Sequence, residues 1–481
     1  MTTRTRFAPS PTGELHLGNA RIAVLNWLYA RHDGGHLIVR IEDTDVQRNV
    51  PGAEAELLDV LRRLGLSWDE GPDVGGELGP YRQSERLGIY ERYASRLMAE
   101  GHAFRCYCGT AGGGDAGRDA RGDAAPDCRC RELTRDEEER RLGEGRVPAV
   151  RFSVPSGRVV VEDRIRGAIE FAADEFEDFV ILKSNGMPTY NFAVVVDDIG
   201  MEISHVIRGV GHLSNTPRQV MLYRSLGEEP PEFVHVPHVL APDGSPLSKR
   251  HGARSLREYL DLGYHPDALI NYLSLLSWSS PRGEEVLSKE ELIEEIDLSR
   301  IGASDARLDP DKLQWLSGEH IRRMTAADLG ERLSEQLGER FTPRDPAERV
   351  RVAAAIQERI TTFAAAAEYL HQLYPPDPMS RDQEALEILR REGVGDLLAA
   401  VRMALAALPG WDGESAMATV RATGKEMGVR GRDLFMPVRA AVTGATQGPE
   451  LADVFSIQGK KTTLRTLDET LALLRGGGGR R

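Results

Sequence analysis

Several things are missing from this 481-residue chain, and each absence narrows its function. No apolar run approaches the roughly 20 residues a membrane-spanning helix needs, so no membrane partner is expected. Residues Met1 to Arg6 lead into Phe7 and two prolines without an apolar signal-peptide core, and a cytoplasmic location is expected. Cationic residues are not in excess: 61 Lys and Arg face 75 Asp and Glu, for a formal net charge of -14. That argues against a surface uniformly suited to phosphate backbones, but leaves room for a local basic face. Cysteine is scarce. All 4 cysteines lie between Cys106 and Cys130, which in a chain of this size reads as a metal site, not a disulfide framework. The first strand-to-helix turn has neither a G-x-G-x-x-G pattern nor a Walker lysine. There is no internal repeat.

What is present organises into three or four domains by length. Thr5 to Ala8 predicts a short strand. Ile22, Val24, Leu25, Trp27 and Leu28 predict a helix over 19–31, stopped by Gly34-Gly35, and Leu37 to Ile41 predicts a second strand. This is a βαβ unit of a parallel sheet. A helix is expected over 85–100. The Gly, Ala, Asp and Arg run of 109–127 reads as a loop or disordered segment between two cysteine pairs. Strands are expected at 150–154, 159–161 and 179–182, with the sheet pattern returning at Phe192 to Val196. Beyond about residue 320, Ala-, Leu-, Glu- and Arg-rich segments such as 349–371 and 385–407 predict an all-helical domain.

Two segments far apart in sequence carry chemistry. His16-Leu17-Gly18-Asn19 opens a helix, whose free N–H groups and positive dipole end favour phosphate. Gly18 lets a flat base approach the backbone, and His16 can donate to a phosphate oxygen. Pro246-Leu247-Ser248-Lys249-Arg250-His251-Gly252 places two cations in a loop that can neutralise charge developing on a phosphate. Taken alone, Ser-Lys-Arg is an ordinary solvated loop. Cys106-x-Cys108 and Cys128-x-Cys130 supply four thiolates, the ligand set of a closed, structural tetrahedral zinc site.

Together, Arg6 to Arg21, Arg40-Ile41-Glu42-Asp43-Thr44-Asp45, Pro188 to Ala193, His205 to Gly209, His212 to Gln219 and the Ser-Lys-Arg loop resemble class I aminoacyl-tRNA synthetases, and the glutamyl branch in particular. The resemblance implies an α/β fold: a Rossmann-like parallel-sheet catalytic domain with an inserted acceptor-binding subdomain, and an all-α C-terminal anticodon-binding domain. The implied divisions are 1–84 and 187–242 for the two catalytic halves, 85–186 for the insertion with zinc, 243–322 for the stem-contact region with the basic loop, and 323–481 for the helical domain. It implies ATP with Mg2+ as co-substrate, structural Zn2+, L-glutamate and tRNA(Glu) as partners, and a monomer. It places Arg6, Ser10, Glu42, Tyr190 and Arg208 at the glutamate, and His16, Gly18, Asn19, Ser248, Lys249 and Arg250 at the ATP, with His16 and Lys249 acting in catalysis. Arginines suit a substrate with two carboxylates, and Glu42 suits its ammonium group.

The chain departs from the family pattern twice. Pro246 replaces a lysine two residues before Ser248, and Val210-Gly211 replaces acidic residues before His212. These departures leave a second expectation open, a catalytically weakened paralogue that acts as a tRNA-binding or regulatory protein. A glutaminyl enzyme would carry a β-barrel tail instead of helices, and a paralogue that glutamylates a modified tRNA base would end soon after the basic loop.

Overall fold

A computed structural model describes residues 2–45, 47–108, 128–247, 254–341 and 343–476. The expectations for 109–127 and for Ser248, Lys249 and Arg250 lie outside the described residues. The chain divides into two units, one of residues 1–259 and 269–309, the other of 260–268 and 310–481.

The strands are β1 (Arg4–Phe7), β2 (His36–Val39), β3 (Ala103–Cys106), β4 (Ala149–Phe152), β5 (Arg158–Asp163), β6 (Gly167–Ala172), β7 (Phe179–Leu182), β8 (His205–Gly209), β9 (Glu232–Val236), β10 (Val239–Leu240) and β11 (Ala306–Arg307). Helix α1 (Leu17–His32) joins β1 to β2, and a tight turn brings the chain back. A β-carbon on Gly35 would sit 2.1 Å from the Thr3 carbonyl oxygen, so only glycine lets the chain pass there.

Six strands form one sheet in the order β2-β1-β8-β9-β5-β6, parallel throughout except for β6. From β1 the chain moves to β2 on one side, while β8 lies on the other. The order therefore reverses between β1 and β8, and ligands of open α/β sheets bind in the crevice beyond the carboxyl ends of such strands. Arg6 and Arg208 both stand near those ends. The β5–β6 hairpin, although it falls within the stretch expected as an insertion, extends this main sheet. β3, β4 and β7 form a separate antiparallel sheet that carries Cys106.

One expectation is corrected here. Phe192 to Val196 is not a strand but part of helix α2 (Tyr190–Gly200). All residues from Phe192 to Asp198 are buried, so the run shows no polar face. A short apolar stretch of this kind cannot be told from a central strand by periodicity. Ile38, Tyr90, Phe152, Phe192, Val206 and Phe233 share the core of this unit.

The second unit is helical, with no strand among the described residues of 310–476. Leu333, Val352, Leu398, Val438 and Phe455 belong to its core. The expected run 385–407 is two helices, Gln383–Leu389 and Val394–Ala407, broken where Gly393 takes φ +79°.

Candidate active site and metal centre

The residues expected around glutamate come from four elements. Arg6 stands on β1, Glu42 follows β2, Tyr190 opens α2 and Arg208 stands near the end of β8. Their charges are mutually felt: Tyr190 senses Glu42, Arg208 and Arg6, and Glu42 senses Arg6. Four of the five expected residues thus form one cluster. Ser10 lies on the exposed turn beside it, where the backbone N–H of Glu42 donates to the Pro9 carbonyl at 3.0 Å. No hydrogen bond joins the Ser10 hydroxyl to the four among the described residues.

Arg208 is buried and only partly satisfied. Its Nε donates to His235 Nε2 at 3.2 Å, and its Nη2 donates to Thr216 Oγ1 at 2.9 Å and Gln219 Oε1 at 2.8 Å. Its Nη1 is buried with no hydrogen-bond partner among the described residues. Burial lowers the Arg208 pKa, and the Arg6 cation adds to this. A buried guanidinium with a free edge is a site built for an anion. Arg6 is buried too, with its Nε 3.4 Å from Asp198 Oδ1. Tyr190 donates or accepts at His212 Nδ1, 2.9 Å away.

Below the cluster lies a layer of buried charge. Arg40 sits 2.6 Å from Asp198, 3.3 Å from Glu42 and 3.8 Å from Asp197. Asp197 also accepts from Arg86 at 2.6 Å, Gln83 at 2.8 Å and Tyr90 at 2.9 Å. Burial pushes the Asp198 carboxyl up, but Arg40 and Arg6 outweigh it and hold the pKa below the ordinary range. Burial wins for Glu42, whose pKa is raised despite Arg40 and Arg6.

Three of the residues expected at the nucleotide, His16, Gly18 and Asn19, line a neighbouring cavity of about 480 Å³. His16, Gly18 and Asn19 form its helix-end wall, with Gly209, Val239, Leu240, Pro246 and Leu247 around it. His16 is the extended N-cap of α1, and its side chain makes no capping hydrogen bond. His16 Nδ1 is buried with no hydrogen-bond partner among the described residues. Pro246 bridges to Leu240 and fits this wall.

The four cysteines converge. All four Sγ atoms lie within 4.8 Å of one another, with Cys106 to Cys128 at 3.7 Å and Cys108 to Cys128 and Cys130 at 3.5 Å. Sulfurs about 2.3 Å from a central zinc stand about 3.8 Å apart along a tetrahedral edge, so this set fits. Arg151 Nε approaches Cys106 Sγ at 3.2 Å and Tyr107 N approaches Cys130 Sγ at 3.3 Å, donors that suit thiolate charge. Cys106, Cys108, Cys128 and Cys130 would hold a structural zinc that ties β3 to the 128–130 turn.

Residues 2–315 match the family described as tRNA synthetases class I (E and Q), catalytic domain, and residues 328–471 match the Anticodon binding domain. The chain is 42% identical to a glutamate–tRNA ligase of Moorella thermoacetica over 98% of both chains. It is 44% identical to glutamate–tRNA ligase 2 of Syntrophus aciditrophicus over 97% of both. It superimposes with a TM-score of 0.89 on the crystal structure of a glutamate tRNA ligase from Elizabethkingia meningosepticum in complex with its amino acid, at 30% identity, covering 98% of this chain and 100% of that one. The chain belongs to the glutamate–tRNA ligase family.

As in the class I synthetase fold, the catalytic sheet and the helical anticodon domain are separate matches here. Within this family member, several pocket residues escaped the sequence reading. Arg40 was visible only as part of a motif, and Asp197 and Asp198 directly follow the Phe192 to Val196 run that was expected as sheet. His235 and Asp163 sit in unremarkable stretches, Phe-Val-His-Val and Val-Glu-Asp, that carry no signal. Arg21 also lines the cavity; its Nη2 donates to the Pro237 carbonyl, while Nε and Nη1 are buried without hydrogen-bond partners among the described residues. Burial lowers the Arg21 pKa to about 10.

Proposed function

We propose that this chain binds L-glutamate in the Arg6, Glu42, Tyr190 and Arg208 cluster and joins it to tRNA(Glu). The observation that carries the substrate is the unpartnered Nη1 edge of buried Arg208, placed among Arg6, Tyr190 and Asp198. The two arginines take the carboxylates, and Glu42 takes the ammonium group. The α-carboxylate, with a pKa near 3.5, is already ionised at pH 7, so the first step needs no side-chain base.

ATP with Mg2+ supplies the adenylyl group. The glutamate carboxylate oxygen attacks the α-phosphorus, the bond to the β-phosphate oxygen breaks, and pyrophosphate leaves. The terminal ribose hydroxyl of the tRNA then attacks the mixed anhydride and AMP leaves. His16, Gly18 and Asn19 hold the nucleotide at the α1 N-terminus, where free N–H groups favour phosphate. Lys249, with Ser248 and Arg250, stabilises charge at the α-phosphate as the second catalytic residue beside His16. The insertion 85–186 takes the acceptor end, 243–322 contacts the stem, and 323–481 reads the anticodon. The enzyme acts as a cytoplasmic monomer.

Aminoacylation of purified tRNAs tests this. Glutamate should be transferred to the tRNA(Glu) 3' end far better than glutamine, whose neutral amide leaves a buried cation poorly paired at a cost of roughly 1–3 kcal/mol. Equal transfer of both amino acids, or none, would overturn the reading.

A further inference from the structure

Arg208 and His235 are direct partners in the parallel register of β8 and β9, and Asp163 of β5 pairs with Phe233 of β9. Three neighbouring strands therefore bring a carboxylate, an imidazole and a guanidinium into one row under the pocket. All three side chains are buried. Asp163 Oδ1 accepts from the backbone N–H groups of Ile165 at 3.0 Å and Arg166 at 2.9 Å. Asp163 Oδ2 accepts from the backbone N–H of His235 at 3.0 Å and lies 2.7 Å from its Nδ1. Four donors fix this carboxylate in place and in its ionised form.

The row has a direction. Arg208 Nε–H can only donate, so the His235 Nε2 it meets at 3.2 Å must carry the lone pair. The ring proton then sits on Nδ1, facing Asp163. Thr216 Oγ1, 3.0 Å from the same Nε2, suits the same assignment. With Nε held by His235 and Nη2 held by Thr216 and Gln219, rotation of the guanidinium is blocked on two sides. What remains is Nη1, the nitrogen without a partner.

We propose that Asp163 and His235 are positioning residues: the ionised carboxylate locks the imidazole in its Nδ1–H tautomer, and the imidazole holds the guanidinium of Arg208 so that its free edge meets a substrate carboxylate. The proposal rests on Arg208 binding glutamate. Neither Asp163 nor His235 touches the substrate. Their effect is on amino-acid affinity and selectivity, not on ATP.

The test is tRNA-supported ATP–pyrophosphate exchange with the full-length protein, titrating glutamate, glutamine and ATP in turn. Arg208→Ala is the control for the pocket. If it leaves the glutamate KM unchanged, the proposed substrate site is wrong, whatever His235 does. If it raises that KM, His235→Leu should raise it about tenfold or more, as loss of a hydrogen bond to a charged group does. It should also lower the preference for glutamate over glutamine, with the ATP KM unchanged. His235→Gln, whose amide can accept from Arg208 and donate to Asp163, should recover most of the loss. No change on His235→Leu, or equal losses for Leu and Gln, would overturn the proposal. Should His235→Leu not fold, nitrogen NMR of histidine-labelled wild-type protein decides. A neutral Nδ1–H ring at pH 7 supports the row, and a neutral Nε2–H ring or an imidazolium overturns it.

Discussion

Arg40 and Asp198 meet at 2.6 Å with both side chains buried, and this pair ties the segment after β2 that carries Glu42 to helix α2, which Tyr190 opens. Arg40 reaches Glu42 from the same guanidinium, and Asp198 reaches Arg6. Glu42 and Arg6, the groups proposed to bind opposite ends of the amino acid, therefore share one buried ion-pair layer.

Removing one member should leave an uncompensated buried charge. Asp198→Ala is expected to destabilise the catalytic unit by roughly 3–5 kcal/mol. Urea unfolding followed by a probe in that unit checks this, and an unchanged midpoint would remove the layer from the list of structural determinants.

The proposed pairing of Glu42 with the substrate ammonium makes glutamate binding depend on pH. Burial raises its pKa, so in the empty pocket it takes up a proton at a higher pH than an ordinary carboxylate. The substrate ammonium pairs only with the ionised form. The glutamate KM should therefore rise as the pH falls through the raised Glu42 pKa, and Glu42→Gln should show a high KM with that pH dependence gone. A wild-type KM as flat as the variant's, measured by pyrophosphate exchange, would contradict the pairing.

His235 makes a separate contribution to stability. Burial is the largest influence on it, and its pKa in the folded chain lies below the ordinary 6.5. The folded state then binds fewer protons than the unfolded state as the pH drops below about 6.5, so this residue's contribution is lost on acidification. Between pH 7 and 5, His235→Gln should lose less stability than wild type. Parallel denaturation curves of the two proteins would contradict the neutral assignment.

Zinc content is a direct count. The four thiolates should retain about one zinc per chain with sulfur at about 2.3 Å, and Cys108→Ser should release it. X-ray absorption with metal analysis reads both. A metal-free protein with ordered β3 would assign the four sulfurs another role.

The parallel core, the cysteine site and the helical tail were legible because each is a local pattern: a βαβ period, paired C-x-C steps and a 3.6-residue repeat. Phe192 to Val196 was misread as sheet because burial on every side erases the polar face that distinguishes a helix from a central strand. His235 and Asp163 could not be found at all, since only the β8-β9-β5 neighbourhood joins positions 72 residues apart to Arg208. Arg6, Glu42, Tyr190 and Arg208 were readable through their motifs, but the free edge of Arg208 is a property of its partners and appears only in three dimensions.

The claim on which the rest depends is that Arg208 binds a glutamate carboxylate. Activation kinetics of Arg208→Ala, with tRNA present, test it most directly. Loss of a buried charge-assisted contact predicts a fall in kcat/KM for glutamate of about 100-fold, or roughly 3 kcal/mol, with the ATP KM little changed. An unaltered kcat/KM for glutamate in the folded variant would contradict it.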